Sequence, residues 1–310
     1  YFSKLSKFNK SSLNLNDDVF FDNNKDLVIS IDTYNEGNHF LNFKKPELVI
    51  KKIIRSSISD LICKGVKPKY YFISGSGNKK KFSKNNLLKI SKSLSQEQKK
   101  YKIFLSGGDT TFSNKLSFSI TSVGYTKKIV YRNNAKFNDD IYVTGNLGDS
   151  FIGLQILKNK IKVKKKISDY FINKYYKPDI NINFTKTLLK YANTSIDISD
   201  GLIDDLKKMI NRQYLSYTLN QNKVPISKNL TKLILDKNLQ KSKLISNGDD
   251  YQILFTASPN KSRIIKNVSR QKGVKLTKIG KIISGNVKSS IIDEKGKQIV
   301  IKSTGYTHQF

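Results

Sequence analysis

At 310 residues, with 37% hydrophobic side chains, the chain is long enough to bury a substantial core and is sized for two domains. Its formal charge is +33, from 57 Lys and Arg against 24 Asp and Glu. That would suit nucleic acid or an anionic membrane surface, but Lys is spread over nearly every segment alongside Asn and Ile, which points to codon composition and disfavours a nucleic-acid partner. A single cysteine, Cys63, excludes an internal disulfide, and the lack of Cys and His clusters excludes a structural zinc site. No apolar run reaches the roughly 18 residues of a membrane span, so a reduced, cytoplasmic protein without a membrane partner or secretory leader is expected.

Residues 1–16 are polar and read as loosely ordered, ending in Asn16-Asp17-Asp18 before Val19-Phe20-Phe21. Residues 27–31 read as a buried strand that delivers Asp32 and Thr33 at its end. Pro46 opens a helix whose apolar stripe is Ile50, Ile53, Ile54, Leu61 and Ile62, and Gly65 with Pro68 stops it. Cys63 in that run reads as a small core residue. Asp60 near the helix end opposes the helix dipole, which calls for another partner such as a cation. A strand at 70–73 and a Lys-rich amphipathic helix at 82–94 follow. The next strand, 103–105, is expected to break at Ser106-Gly107-Gly108-Asp109-Thr110-Thr111, and Leu116, Phe118, Ile120 and Val123 mark another. The polar stretch 131–138 reads as a linker, so the domains are expected at 1–137 and 138–310.

The second half restarts with a strand at 141–144, a Gly145/Gly148 turn and a helix at 151–157. Lys-rich residues 158–166 are expected to form a solvated loop, and helices from about 168 to 191 lead to Ser195-Ile196-Asp197-Ile198-Ser199-Asp200-Gly201. There an apolar strand turns at Asp200-Gly201, and Leu202, Ile203, Leu206, Met209 and Ile210 recur at helical spacing. Carboxylates at such a junction either cap the helix or hold a hard cation beside phosphate. Asp204 and Asp205 are expected on the helix surface. Further on, Asn247-Gly248-Asp249-Asp250-Tyr251 runs into a strand at 252–255, and the tail carries Gly305-Tyr306. The Lys runs at 79–81 and 164–166 read as solvated faces.

In a chain with 24 acids, their positions are informative. Asp17, Asp18, Asp32, Asp109, Asp197, Asp200, Asp249 and Asp250 lie at strand ends or glycine turns, several beside Ser or Thr. Carboxylate and hydroxyl oxygens without imidazole or thiolate are the ligand set of Mg²⁺. There is no G-x-x-x-x-G-K-[ST] loop, and Gly75-Ser76-Gly77 does not continue into G-x-G-x-x-G. Gly107-Gly108-Asp109-Thr110 offers another device, glycine amides open to phosphate with a carboxylate to bring a metal. Taken singly, His39 reads as a packed or surface histidine, Arg132 as a linker cation and Tyr306 as a tail aromatic.

The ordered series Asn16-Asp17-Asp18, Ser30-Ile31-Asp32-Thr33 with Gly37-Asn38-His39-Phe40, Ser59-Asp60-Leu61, Gly107-Gly108-Asp109-Thr110-Thr111, Tyr142-Val143-Thr144-Gly145 with Gly148-Asp149, Asp197-Ile198-Ser199-Asp200-Gly201-Leu202 and Gly248-Asp249-Asp250-Tyr251 closely resembles the thiamine-monophosphate kinases. These belong with aminoimidazole ribonucleotide synthetase and selenophosphate synthetase. The resemblance implies an α+β enzyme of two α/β domains, the N-terminal one forming a shared barrel in a homodimer with ATP at the domain junction. It implies ATP-dependent phosphorylation of thiamine monophosphate by in-line transfer, with several Mg²⁺ ions and no general base. Carried over by position, Asp17, Ser30, Asp32, Asp60, Asp109, Asp197 and Asp200 are the metal ligands. Gly108, Asp109, Arg132 and Ser199 contact ATP, while His39, Asp249 and Tyr306 contact the thiamine substrate. Asn16, Ile31 and Asp249 depart from the family's usual Gly, Thr and Glu, and Ile31 offers no side-chain oxygen. Another ATP-using member of the superfamily, or an inactive basic nucleic-acid-binding protein, are the alternatives.

Overall fold

Period-2 alternation in the first half builds an open five-stranded sheet of order β1-β2-β5-β3-β4. Its strands are β1 (Phe20–Asp22), β2 (Leu27–Asn35), β3 (Pro68–Gly77), β4 (Phe104–Phe112) and β5 (Ser117–Tyr125). The pairing is antiparallel except between β3 and β4, which run parallel. The computed structural model describes residues 4–299 and Gly305, and contacts divide the chain into two units, Tyr1–Ile62 with Val66–Lys128 and Cys63–Gly65 with Ile129–Phe310.

Two helices of the first unit, α1 (Pro46–Cys63) and α2 (Lys84–Tyr101), carry most of its core. In α1, Val49, Ile50, Ile53, Ile54, Ile58, Leu61 and Ile62 are all buried, at the spacing of one helix face. Ser57 Oγ lies 2.9 Å from Ser122 Oγ, so this helix packs on β5. Arg55 grips Glu97 with two buried hydrogen bonds of 2.8 and 3.0 Å, tying α1 to α2. A buried pair of this kind needs the two-pronged geometry that a guanidinium supplies to offset its lost hydration. Helix α2 starts at the N-cap Ser83 and continues past residue 94 to Tyr101, because Leu94, Glu97 and Tyr101 keep to its buried stripe.

The expected break at Ser106 does not occur. β4 runs through Ser106-Gly107-Gly108-Asp109-Thr110-Thr111 because β3 pairs with it along its length, with one register shift where Leu105 and Gly107 face Tyr71 and Phe72. A Cβ on Gly108 would stand 1.9 Å from the Ile73 carbonyl oxygen, so the glycine permits the close approach of the two strands. Every residue of β4 is exposed, and it forms one edge of the sheet while β1 forms the other.

The second unit holds a six-stranded sheet of order β11-β8-β10-β6-β9-β7. Its strands are β6 (Asp140–Thr144), β7 (Thr194–Asp197), β8 (Leu215–Asn220), β9 (Ile253–Ala257), β10 (Leu276–Ser284) and β11 (Ser290–Ile292). Its helices are α3 (Asp149–Leu157), α4 (Lys165–Tyr176), α5 (Thr185–Tyr191), α6 (Leu202–Met209), α7 (Lys228–Lys237), α8 (Lys241–Ile245) and α9 (Ser262–Lys272). Helix α4 therefore begins inside the stretch expected to be a solvated loop, and its stripe of Phe171, Tyr175 and Tyr176 is buried. One core joins Ile141, Val143, Ile196, Leu206, Leu254 and Ile282, and a second joins Ile152, Phe171, Leu230, Leu233 and Leu244. Cys63 is buried and unbridged. Its carbonyl accepts the Ser195 hydroxyl at 2.5 Å, and the buried Lys64 ammonium donates to the Ser195 carbonyl at 2.7 Å, so β7 is anchored where the acid-rich stretch begins. Among the described residues no helix is long and apolar enough to cross a membrane.

Candidate active site

In the first unit the site grows from β2. Alternation along the strand sends Ser30, Asp32 and Tyr34 to one face, where Ser30 and Tyr34 are buried and Asp32 is half-buried. Ser30 donates its hydroxyl to Asp60 of α1. The acid that opposed its helix dipole thus has a hydroxyl partner, and the Asp60 charge also reaches Tyr34. Tyr34 donates to Asp32 Oδ2 at 3.1 Å. Burial pushes the Asp32 carboxyl up to about 6, with the Tyr34 hydrogen bond working in the other direction. Burial likewise holds the Tyr34 phenol well above its usual range, and the Asp32 and Asp60 charges add to it while a Ser56 hydrogen bond opposes.

A tight turn after β2 presents His39. Gly37, at φ 90°, closes it, and the Asn35 backbone N–H donates to His39 Nδ1 at 3.0 Å. A neutral imidazole that accepts at Nδ1 carries its proton at Nε2, where it can donate to an anion. Asp17 precedes β1 and its Oδ1 accepts the Asp18 N–H at 2.8 Å. Asp109 lies on exposed β4 and its Oδ1 accepts the Thr110 N–H at 2.7 Å. Ser30, Asp32 and Asp60 are therefore drawn together around Tyr34, while Asp109 lies on the edge strand β4 and Asp17 lies in the chain ahead of β1.

The second unit holds its acids in two interlocked loops. Past β7, Ile198 N–H donates to the Gln252 carbonyl, Asp249 N–H to Ser199, and Tyr251 N–H to Ile198, at 2.8–2.9 Å. The β7–β9 ladder thus continues into the turns, placing Asp197, Ser199 and Asp200 beside Asp249. A Cβ on Gly248 would fall 1.7 Å from the Ser199 carbonyl oxygen, and one on Gly201, at φ 134°, 2.2 Å from that of Ser246. Asp249 (φ 69°) and Tyr251 (φ 51°) adopt the left-handed region without being glycine, and the Tyr251 hydroxyl donates to Asp249 Oδ1 at 3.0 Å. Such strain persists only where the surroundings over-determine the loop.

Asp205 is not on the helix surface as expected. It is fully buried, and its Oδ2 accepts the N–H groups of Asp200 and Gly201, both at 2.9 Å. A first-turn acid reaching back to the amides ahead of its own helix satisfies donors that the helix leaves open. Burial pushes its carboxyl up to about 7, helped by the Asp197 and Asp200 charges and opposed by the Gly201 amide and Lys208. Asp204 stays half-buried near Lys207, 3.4 Å away. Lys208 bonds to Asp200 and lies 3.7 Å from Asp205. Burial works against its charge, yet Asp200 and Asp205 outweigh it and hold its pKa up, with Arg132 opposing. Arg132, Lys208, Asp200 and Asp205 therefore share one field. Tyr306 lies outside the described residues.

The Thr144–Asp149 motif borders a cavity of about 290 Å³ lined by Gly145, Asn146, Asp149, Lys174, Asp250 and Lys275 among others. Asp149 accepts from Ser227 Oγ at 2.7 Å and from the Tyr170 hydroxyl at 2.8 Å, and Asp250 caps α3 through the Gly148 N–H at 2.8 Å. Burial raises the pKa of both acids. Among the described residues, no three or more His, Cys, Asp or Glu side chains are grouped tightly enough to hold a metal by themselves.

Sequence reasoning does not single out Tyr34 or Lys208, and it puts Asp205 on the helix surface. The signals were present: Tyr34 shares the face of Asp32 two residues on, and Asp205 falls three residues after Leu202 on the inner stripe of α6.

The family model described as "AIR synthase related protein, N-terminal domain" matches residues 16–126. A thiamine-monophosphate kinase of Buchnera aphidicola subsp. Schizaphis graminum is 37% identical over 287 residues, 91% of this chain and 87% of that protein. The solved structure of AaThiL complexed with AMPPCP and TMP superposes with a TM-score of 0.84 at 27% identity, covering 98% of this chain and 95% of that one. The crystal structure of thiamine monophosphate kinase from Aquifex aeolicus superposes with a TM-score of 0.80 at 28% identity, over 96% of each chain.

Proposed function

The chain belongs to the thiamine-monophosphate kinase family and is a kinase, and on that premise we propose that it transfers the γ-phosphoryl group of ATP to thiamine monophosphate, giving thiamine diphosphate and ADP. The observation that carries this reading is the likeness, over nearly the whole chain, to AaThiL complexed with AMPPCP and TMP.

A phosphate monoester has its second pKa near 6 and is largely dianionic at neutral pH, so the acceptor needs no general base. One of its oxygens forms a bond to the γ-phosphorus as the bond to the β,γ-bridging oxygen breaks, in line, and ADP leaves. The protein's task is to overcome repulsion between two polyanions and to align them. His39, with its proton at Nε2, binds the thiamine phosphate together with Asp249 and Tyr306. Gly108, Asp109, Arg132 and Ser199 hold ATP, Arg132 supplying positive charge to the phosphates.

Asp17, Ser30, Asp32, Asp60 and Asp109 of the first unit, with Asp197 and Asp200 of the second, would hold Mg²⁺, which supplies neutralisation of the phosphate oxygens when bound. The donors fit that ion. They are hard oxygens, and the Asp32 carboxyl, pushed up to about 6 by burial, is the kind of group whose charged form a cation restores. With no tight cluster of three acids among the described residues, one or two carboxylates per ion completed by phosphate and water is the arrangement expected of Mg²⁺.

The same reading makes 1–137 the ATP- and Mg²⁺-binding and dimerisation domain and 138–310 the domain covering the site, in a cytoplasmic homodimer with a shared barrel. Support for dimerisation comes from β4, an edge strand whose outer side has no strand partner among the described residues and which is exposed along its length, with Phe104, Leu105 and Phe112 at 55%, 45% and 75% exposure. A long apolar edge of this kind is a template for pairing with another chain.

The test is incubation of the purified protein with Mg-ATP and thiamine monophosphate, with free thiamine and other superfamily substrates as controls. Thiamine diphosphate should form from the monophosphate alone. Folded protein that makes none would overturn the reading.

A further inference from the structure

Tyr34 stands where the two halves of the proposed first-unit chemistry meet. It is 5% exposed, its hydroxyl donates to Asp32 Oδ2 at 3.1 Å, and its ring meets the His39 imidazole edge-on, with centroids 5.8 Å apart and planes at 82°. Resting on the kinase reading above, we propose that Tyr34 is a positioning residue that orients the metal-binding carboxylate of Asp32 with its hydroxyl and the substrate-binding imidazole of His39 with its ring.

The two contacts act on different groups for different physical reasons. A carboxylate on a strand can turn about its terminal torsion, and a donor fixed on one oxygen sets which way the other oxygen faces. With Tyr34 on Oδ2, Oδ1 would be the oxygen left for Asp32 to offer an ion. The imidazole is held from two sides: the Asn35 N–H on Nδ1 sets its tautomer, and the Tyr34 ring edge sets its plane. Both contacts follow from strand and turn geometry, because Tyr34 is two residues from Asp32 on the same face of β2 and the Gly37 turn folds His39 back over it. An aromatic placed here only to fill the core would serve equally well as Phe, since its ring would lose nothing but an oxygen. The hydrogen bond to Asp32 makes the opposite demand.

Two variants separate the hydroxyl from the ring. Partners that orient a metal ligand typically contribute 10–100-fold to metal affinity. Tyr34→Phe should therefore weaken Mn²⁺ binding in the presence of a non-hydrolysable ATP analogue, followed by electron paramagnetic resonance, by about 10-fold, and should leave the KM for thiamine monophosphate within about twofold of wild type. Tyr34→Leu should weaken Mn²⁺ binding to the same extent and in addition raise that KM by about 10-fold. Thermal unfolding checks that each variant is folded, and if Tyr34→Leu is not, the Phe variant decides alone. Unchanged Mn²⁺ binding in Tyr34→Phe, or a loss of both properties in both variants in step with their unfolding temperatures, overturns the proposal. Wild-type protein that makes no thiamine diphosphate would instead sink the kinase reading, while the Mn²⁺ titrations would still report on the hydroxyl contact.

Discussion

The Gly107-Gly108-Asp109 stretch and the Ser199–Gly201 turn use the same residue types, glycine beside aspartate, in opposite physical settings. On β4 the glycine backbone is pressed against β3 while Asp109 stays in solvent, accepting one neighbouring N–H. In the second unit the glycines Gly201 and Gly248 are pressed against facing carbonyls, and the acid behind them, Asp205, is sealed inside and bonded to two backbone amides. The first setting leaves a carboxylate free to meet a ligand at little structural cost. The second makes the carboxylate part of the framework that aims Ser199 and Asp200.

Substitutions can break that contrast. Gly248→Ala carries the largest expected effect, because its methyl group would fall 1.7 Å from a backbone oxygen that cannot move without opening the loop pair. A loss of about 3 kcal/mol in urea unfolding is expected; a loss below about 1 kcal/mol would mean that the loops are not interlocked. Asp205→Ala strands two amide donors, for an expected loss of about 2 kcal/mol by the same measurement.

Asp205 also makes a pH prediction for metal-free protein. Its carboxyl titrates near 7 in the folded state against 3.8 unfolded, so between those values the folded protein keeps a proton that the unfolded chain has released. Stability should fall as pH rises through that window, and Asp32, near 6, adds a contribution of the same sign over the lower part of it. Asp205→Asn should flatten most of the slope; an unchanged pH profile would remove Asp205 as its source. At the small end for stability, Asp60→Asn and Asp109→Asn should each shift the melting temperature by no more than about 2 °C, while lowering the rate of thiamine diphosphate formation by about 100-fold or more. A large melting shift for Asp109→Asn would erase the distinction between the two settings.

Local signals carried much of the reading. Glycine turns and apolar stripes located the α1 stripe, the turn at Asp200-Gly201 and the loop ahead of β9, because each is written in a few adjacent residues; Asp32, expected at a strand end, instead lies inside β2, which pairing with β5 carries on to Asn35. The Ser106-Gly107-Gly108 stretch reads as the end of a strand for the same reason: a breaker signal counts only neighbours, and it takes the pairing with β3 to carry the strand on to Phe112. Helix α2 was read short because the burial of Glu97 depends on Arg55, forty-two residues away.

What the sequence by itself determined is which groups the protein brings to its chemistry: oxygen donors and few imidazoles, placed at junctions where backbone turns. Only the tertiary structure decided their standing. Whether an aspartate faces water, bonds to Ser30, or disappears behind a turn to hold amide hydrogens depends on which distant backbone lies against it. That depends in turn on packing, which is close to solid and leaves no room at Gly108 or Gly248 for a single methyl group.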